Sequence, residues 1–206
     1  RTDPGSKSHR GISLFIVDID SPGITVTPLW TLSGERTNEV FYDNVKVPAT
    51  NIVGEENRGF YYLMEDLEYE RTFTGGGVRS KLEDIARYVK TADDGNLQHD
   101  PIVRHNLAKF ATEIEVGRLL YWRTGCLLNK GKDLIYESSS LTFESSITKV
   151  FISELDQHLA AAFLDISGLR GQLKEGSPYA LLSGDAELRA RQSVVQSIWG
   201  GTNEIC

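Results

Sequence analysis

The sequence predicts an α+β chain in which a layer of strands is followed by an antiparallel four-helix bundle. Three observations predict it. The first fifty-odd residues alternate short apolar runs with turn residues, and from Gly54 the apolar residues take up a helical period. That period then persists almost to the end, broken by GNLQHDP at 95–101, NKGKD at 129–133 and KEGSP at 174–178. A chain of 206 residues with 40% hydrophobic and 25% charged content is long enough to bury one large core or two smaller ones.

GISLFIVD, residues 11–18, is a continuous apolar run of the kind expected of a strand covered on both faces. Ser21-Pro22-Gly23 follows as a turn, with Pro at the position that wants φ near −65° and Gly at the one that wants φ above zero. ITVTPLWTL alternates, and Pro28 moves that strand towards a sheet edge. After Ser33-Gly34, NEVFYDNVKVP predicts two short strands either side of Asp43-Asn44. GEENRGF can cap the first helix. In the segment after Asp100, residues Val103, Leu107, Phe110, Ile114, Gly117 and Tyr121 step by four and three along one helix face, and Ile147, Phe151, Leu155, Leu159 and Phe163 do the same in the next. A last helix is predicted from about Asp185 to Trp199.

Composition narrows the function. The net charge of −7 and the scattered Lys and Arg argue against a nucleic-acid surface, so small molecules or other proteins are the expected partners. Cys126 and Cys206 are too few for a disulfide framework, which fits a reducing compartment. His9, His99, His105 and His158 lack ligand spacing, so no metal is expected. No apolar run has the length of a membrane span. The chain starts without Met and its last six residues look like a helix start, which implies a piece of a longer protein.

Two stretches could carry chemistry. In EDLEYERTFTGGGVRS, three glycines in succession either break the first long helix or let a ligand or another backbone approach closely. If the helix runs through, Glu70, Thr74 and Gly77 share one face, a carboxylate over a floor of small side chains. In SIWGGTNEIC, Gly200-Gly201 offers a tight turn, Thr202 an N-cap, and Glu204 a carboxylate in the first helical turn, a possible anion site of free backbone N–H groups.

The stretches RTDP…HRGISLFIVDIDSPGITV, NEVFYDNVKVPATNIVGEENRGF and QSIWGGTNEI, in that order, resemble the flavin-dependent acyl-CoA dehydrogenase family. The resemblance covers essentially the whole chain and only the later part of the family's plan. It implies the end of a β-barrel-like middle domain at 1–55 and the C-terminal helical bundle at 56–206, with the bundle's last helix continuing past Cys206.

It also implies FAD as cofactor, an acyl-CoA thioester as substrate and an electron-transfer flavoprotein as electron acceptor. A homo- or hetero-oligomer, dimer or tetramer, and a bacterial cytoplasm rather than a mitochondrial matrix are expected. In this family a glutamate removes the α-proton while the β-hydrogen leaves as hydride to FAD, giving the trans-2-enoyl-CoA. Many members carry that glutamate directly before the Gly-Thr of the closing loop, where this sequence has Gly200.

Others, resembling isovaleryl- and long-chain acyl-CoA dehydrogenases, carry it on the earlier helix before an arginine. Here that pair is Glu70-Arg71, so the resemblance implies Glu70 as base and Arg71, with Gly201, on the substrate side. Thr202, Asn203 and Glu204 match the loop that touches FAD. Gly168, in LDISGLRG, is the one glycine left of a Gly-Gly loop against the cofactor.

The family's Arg-x-x-Phe-Gly, which reaches across the dimer to the FAD pyrophosphate, is replaced by Lys90-Thr91-Ala92-Asp93-Asp94. Lys90 lacks the planar fork of Arg, and the two aspartates repel a pyrophosphate. This pattern fits the base-bearing partner of a two-subunit enzyme, such as the bacterial steroid-side-chain members. A non-catalytic half-site subunit, and an oxidase or flavin monooxygenase on the same scaffold, are the alternatives.

Overall fold

The computed structural model describes residues 1–73, 77–129 and 139–206. Its chain divides into two compact units, Arg1–Tyr69 and Glu70–Cys206.

In the first unit, β1 (Leu14–Phe15) pairs antiparallel with β4 (Ile52–Val53), and β2 (Ile24–Trp30) forms a hairpin with β3 (Arg36–Tyr42). The predicted turn is present: the Ile24 amide donates to the Ser21 carbonyl at 3.1 Å, with Gly23 at φ 93°. A Cβ at Gly23 would run into the Asp43 carbonyl, so glycine is required there. Pro28 lies within β2 opposite Asn38, tolerated because a two-stranded ribbon has only edges.

Two strand predictions need correction. GISLFIVD contributes only Leu14 and Phe15 to a strand, and Ile16 is 68% exposed rather than covered. Among the described residues the run has one short partner strand, and only Ile12, Phe15 and Val17 of its large apolar side chains are half-buried. The segment around Asp43-Asn44 is one strand, not two. Asn44 takes a left-handed φ of 50° and the Asp43 amide turns to the Gly23 carbonyl, so pairing stops at Tyr42.

Helix α1 (Gly59–Phe73) begins where the Gly59 amide donates to the Ile12 carbonyl at 2.8 Å. Helix α2 (Val78–Thr91) starts after Gly77, its N-cap. Thr74, Gly75 and Gly76 lie outside the described residues, and with them the continuity of the predicted small-residue floor. Among the described residues, a Cβ on Gly77 would meet nothing within 4 Å.

The second unit holds the core. Helix α3 (Pro101–Asn129) is capped by Asp100, whose carboxylate accepts the Ile102 and Val103 amides at 2.7 and 3.1 Å, with Pro101 in the first helical position. Helices α4 (Ser139–Ser167) and α5 (Asp185–Val195) complete the set. The core joins Ile85 and Val89 of α2, Val103, Phe110 and Ile114 of α3, Leu155, Leu159 and Phe163 of α4, and Ala186 of α5. Gly117 lets α3 and α4 close up, since a Cβ there would crowd the Ile152 side chain at 2.5 Å.

The predicted α3 face is therefore the buried one. On α4 the prediction holds from Phe151 onward, but Ile147 is 37% exposed, because Ser145, Thr148 and Lys149 take the inward positions instead. The last helix stops at Val195, short of Trp199. Ser197 and Ile198 bond three residues back, tightening the chain before the left-handed Gly200 and Gly201. Among the described residues, no helix is long and apolar enough to cross a membrane.

Candidate functional site

The α4 helix carries a row of polar residues, Ser145, Lys149, Ser153 and Asp156, at steps of four, four and three. All four are buried, with exposures of 0, 3, 4 and 2%. Burying such groups is costly unless each finds a partner. Asp156 receives the Lys81 ammonium of α2 on both oxygens at 2.7 Å. Lys149 donates to the Gly201 carbonyl at 2.6 Å and to Asn203 Oδ1 at 2.7 Å, and the Ser153 hydroxyl donates to the same Oδ1 at 3.1 Å.

The closing loop is thus tied to α4. Gly200 and Gly201 take φ of 63° and 96°, conformations that favour glycine. The Asn203 amide donates to the Ser197 carbonyl, while the Ile205 and Cys206 amides both donate to the Thr202 carbonyl at 3.0 Å. These last two bonds are those of a first helical turn, as predicted at Thr202, although residues 203–205 form a turn rather than a helix. Glu204 is exposed. Its own backbone N–H, the Thr202 hydroxyl and the Lys149 charge hold its carboxyl below the usual glutamate range.

Glu70 meets this loop. A Cβ built on Gly200 would lie 3.9 Å from both the carboxyl carbon and Oε1 of Glu70. The carboxylate therefore sits beside the place where a side chain at position 200 would begin, and among the described residues, chain neighbours aside, nothing else comes within 4 Å of that point. The structure brings together Glu70, Gly201, Thr202, Asn203 and Glu204. The side chain of Arg71 lies outside the described residues.

Gly168 is not part of this cluster. It follows the C-terminal end of α4, and nineteen residues from Lys149 at 1.5 Å each put it about 28 Å along the helix from the loop's anchor. It is exposed, at φ 59°, and among the described residues a Cβ there would meet nothing within 4 Å. Lys90 is exposed in the last turn of α2. Cys126 and Cys206 are free, and the described residues contain no cluster of metal-ligating side chains.

Lys149 and Ser153 were not singled out by the sequence. The signal available was their helical spacing with Ser145 and Asp156, but a polar row at that spacing ordinarily reads as a solvated face.

A β-strand unit followed by a helical unit whose last loop is Gly-Gly-Thr-Asn defines a class of protein that comparison with known proteins identifies. The family profile described as "Acyl-CoA dehydrogenase, C-terminal domain" matches residues 57–206. The acyl-CoA dehydrogenase FadE26 of Mycobacterium tuberculosis is 32% identical over 213 residues, covering 100% of this chain and 52% of that protein. The mitochondrial long-chain specific acyl-CoA dehydrogenase of Sus scrofa is 34% identical over 210 residues, covering 97% and 45%. Among solved structures, the Tcur3481-Tcur3483 steroid ACAD superposes with a TM-score of 0.87 at 29% identity, covering 100% of this chain and 52% of that one.

The chain belongs to the acyl-CoA dehydrogenase family, whose members are FAD flavoproteins. It spans about half the length of the curated relatives it matches. Thr202 to Glu204, the residues expected on the flavin side, follow two left-handed glycines, and the loop is fixed to the buried Lys149, an arrangement that residues beside FAD would fit.

Proposed function

We propose that this chain supplies the base-bearing C-terminal region of an FAD-dependent acyl-CoA dehydrogenase, which converts an acyl-CoA thioester to its trans-2-enoyl-CoA. The observation that carries this reading is the 3.9 Å approach of the Glu70 carboxyl to the Cβ position of Gly200. In many family members the base stands at that loop position. Here the loop has no side chain to offer, and a carboxylate from the end of α1 occupies the adjoining space.

Glu70 takes the α-proton of the thioester. Gly201 lies against the acyl-CoA, Arg71 helps to position it, and Thr202, Asn203 and Glu204 line the flavin side. When bound, FAD supplies the acceptor for the β-hydrogen as hydride. An α-proton is weakly acidic, so a base enclosed with its substrate away from water is favoured.

Replacing Glu70 by Gln in the intact protein is expected to leave the yellow flavin bound and acyl-CoA binding intact. Flavin reduction by substrate should fall by about 10²–10⁴-fold, the usual contribution of a general base. Undiminished flavin bleaching in stopped-flow absorbance would overturn the assignment. A panel of acyl-CoAs from short branched to steroid thioesters identifies the acyl group.

The wider reading follows the family. Residues 1–55 end a β-barrel-like middle domain and 56–206 form an antiparallel bundle domain, a division supported by the profile match from residue 57. The electron acceptor is an electron-transfer flavoprotein and the compartment a bacterial cytoplasm.

One observation favours a second reading, a subunit of a heteromeric enzyme that completes its flavin site with an unlike partner. Lys90, Asp93 and Asp94 stand where the family's pyrophosphate-binding arginine motif is expected, and the similar steroid ACAD structure carries two protein names, Tcur3481 and Tcur3483. Full FAD occupancy and turnover without a partner would exclude it. Oxygen consumption by the reduced protein would instead indicate an oxidase or monooxygenase.

A further inference from the structure

We propose that Lys149 is a positioning residue that sets the hydrogen-bond donor pattern of the closing loop. This inference rests on the reading of that loop as the wall of a flavin and acyl-CoA site. Lys149 is buried in α4, and its ammonium donates to two acceptors of the loop at once, the Gly201 carbonyl at 2.6 Å and Asn203 Oδ1 at 2.7 Å.

Each contact fixes a direction. In a trans peptide the C=O and the following N–H point opposite ways. Drawing the Gly201 carbonyl onto α4 therefore turns the Thr202 N–H away from the bundle. No peptide bond among the described residues is cis.

The Asn203 carboxamide is oriented in the same way. Two donors, Lys149 and Ser153, converge on its oxygen. A carboxamide has its acceptor on one side and its NH₂ donors on the other, so the NH₂ group faces away from α4. Together the backbone N–H of Thr202 and the NH₂ of Asn203 present donors away from the bundle, suited to the carbonyl or phosphate oxygens of a bound ligand. The separations in sequence, 52 and 54 residues, make this a tertiary device rather than a local turn.

Two measurements on the intact protein test the role. In hydrogen exchange without substrate, Lys149→Met is expected to raise exchange of the amides within 197–206 by about tenfold or more, the loss of a charge-assisted hydrogen bond. Peptides from α3 should be unchanged. The visible absorption band of bound FAD is expected to shift in Lys149→Met and to return in Lys149→Arg, an effect that a merely structural lysine would not produce. Unchanged exchange over 197–206, or an unaltered flavin band in folded Lys149→Met, overturns the proposal.

If Lys149→Met does not fold, Ser153→Ala decides. It removes the second donor to Asn203 together with a bond to the Val150 carbonyl inside α4, and about a threefold rise in exchange over 203–206 is expected for one neutral hydrogen bond to the loop. No change there overturns the proposal equally. Should no acyl-CoA reduce the wild-type flavin, the functional reading fails by itself, while the exchange comparison still decides what Lys149 does.

Discussion

The hairpin of the first unit and the helical core of the second put similar residues to opposite use. In β3 every residue is exposed, including Phe41 at 58%, whereas Phe163 of α4 is fully buried. Both segments are rich in apolar side chains, so hydrophobicity alone does not decide burial. What differs is the opposing surface. The α4 helix is packed by α2, α3 and α5, and the hairpin has one partner strand and no covering layer among the described residues.

The largest effects should come from breaking the helical side of this contrast. Phe163→Ala is expected to cost about 3–5 kcal/mol by opening a cavity in the packed core. Asp156→Ala is expected to cost about 1.5–3 kcal/mol by removing the charge-assisted bonds to the partly exposed Lys81 ammonium. Both are measurable as lowered urea midpoints by far-ultraviolet circular dichroism. A midpoint unchanged in Asp156→Ala would show that solvent reaches Lys81 in its place.

A smaller effect should appear with pH. Hydrogen bonds from Arg189, and then from Arg87, hold the Asp84 carboxyl below the usual aspartate range. A depressed carboxyl stabilises the fold at pH values above its unfolded pKa, and that contribution is lost as the pH falls through the folded value. Acid titration of stability should therefore be less steep in Asp84→Asn than in the wild type below the ordinary aspartate range, with the variant less stable at neutral pH. Because Asp84 is partly exposed, solvent screening keeps the difference near neutrality to about 1 kcal/mol or less.

The smallest effect is expected on the hairpin. Phe41→Ala should change the stability of this chain by about 0.5 kcal/mol or less, as for exposed positions that carry no buried contact. A loss comparable with that of Phe163→Ala would mean that the hairpin face is covered in solution, and would remove the contrast between the two units.

Much of the candidate site was legible from local pattern. Gly200-Gly201-Thr202 reads as a turn before a helix start, and the bonds to the Thr202 carbonyl bear that out. The resemblance pairs Gly200 with Glu70, and a Cβ at Gly200 would lie 3.9 Å from the Glu70 carboxyl carbon. The double-sided burial of GISLFIVD and the burial of Ile147 were not legible correctly. Each depends on what lies opposite the segment rather than on the segment itself.

By itself the sequence determined the order of strands and helices, the turns at Gly23 and Gly200-Gly201, the apolar face of α3 and the family resemblance. These are local properties: dihedral preferences of Gly and Pro, and the period of apolar residues. Tertiary structure alone decided that the polar row of α4 is buried, that Lys149 and Ser153 hold the closing loop, and that Gly168 lies far along the helix from it. Hydrogen-bond partners 50 to 75 residues apart leave no trace in spacing, because a lysine facing water and a lysine facing a carbonyl occupy the same helical position.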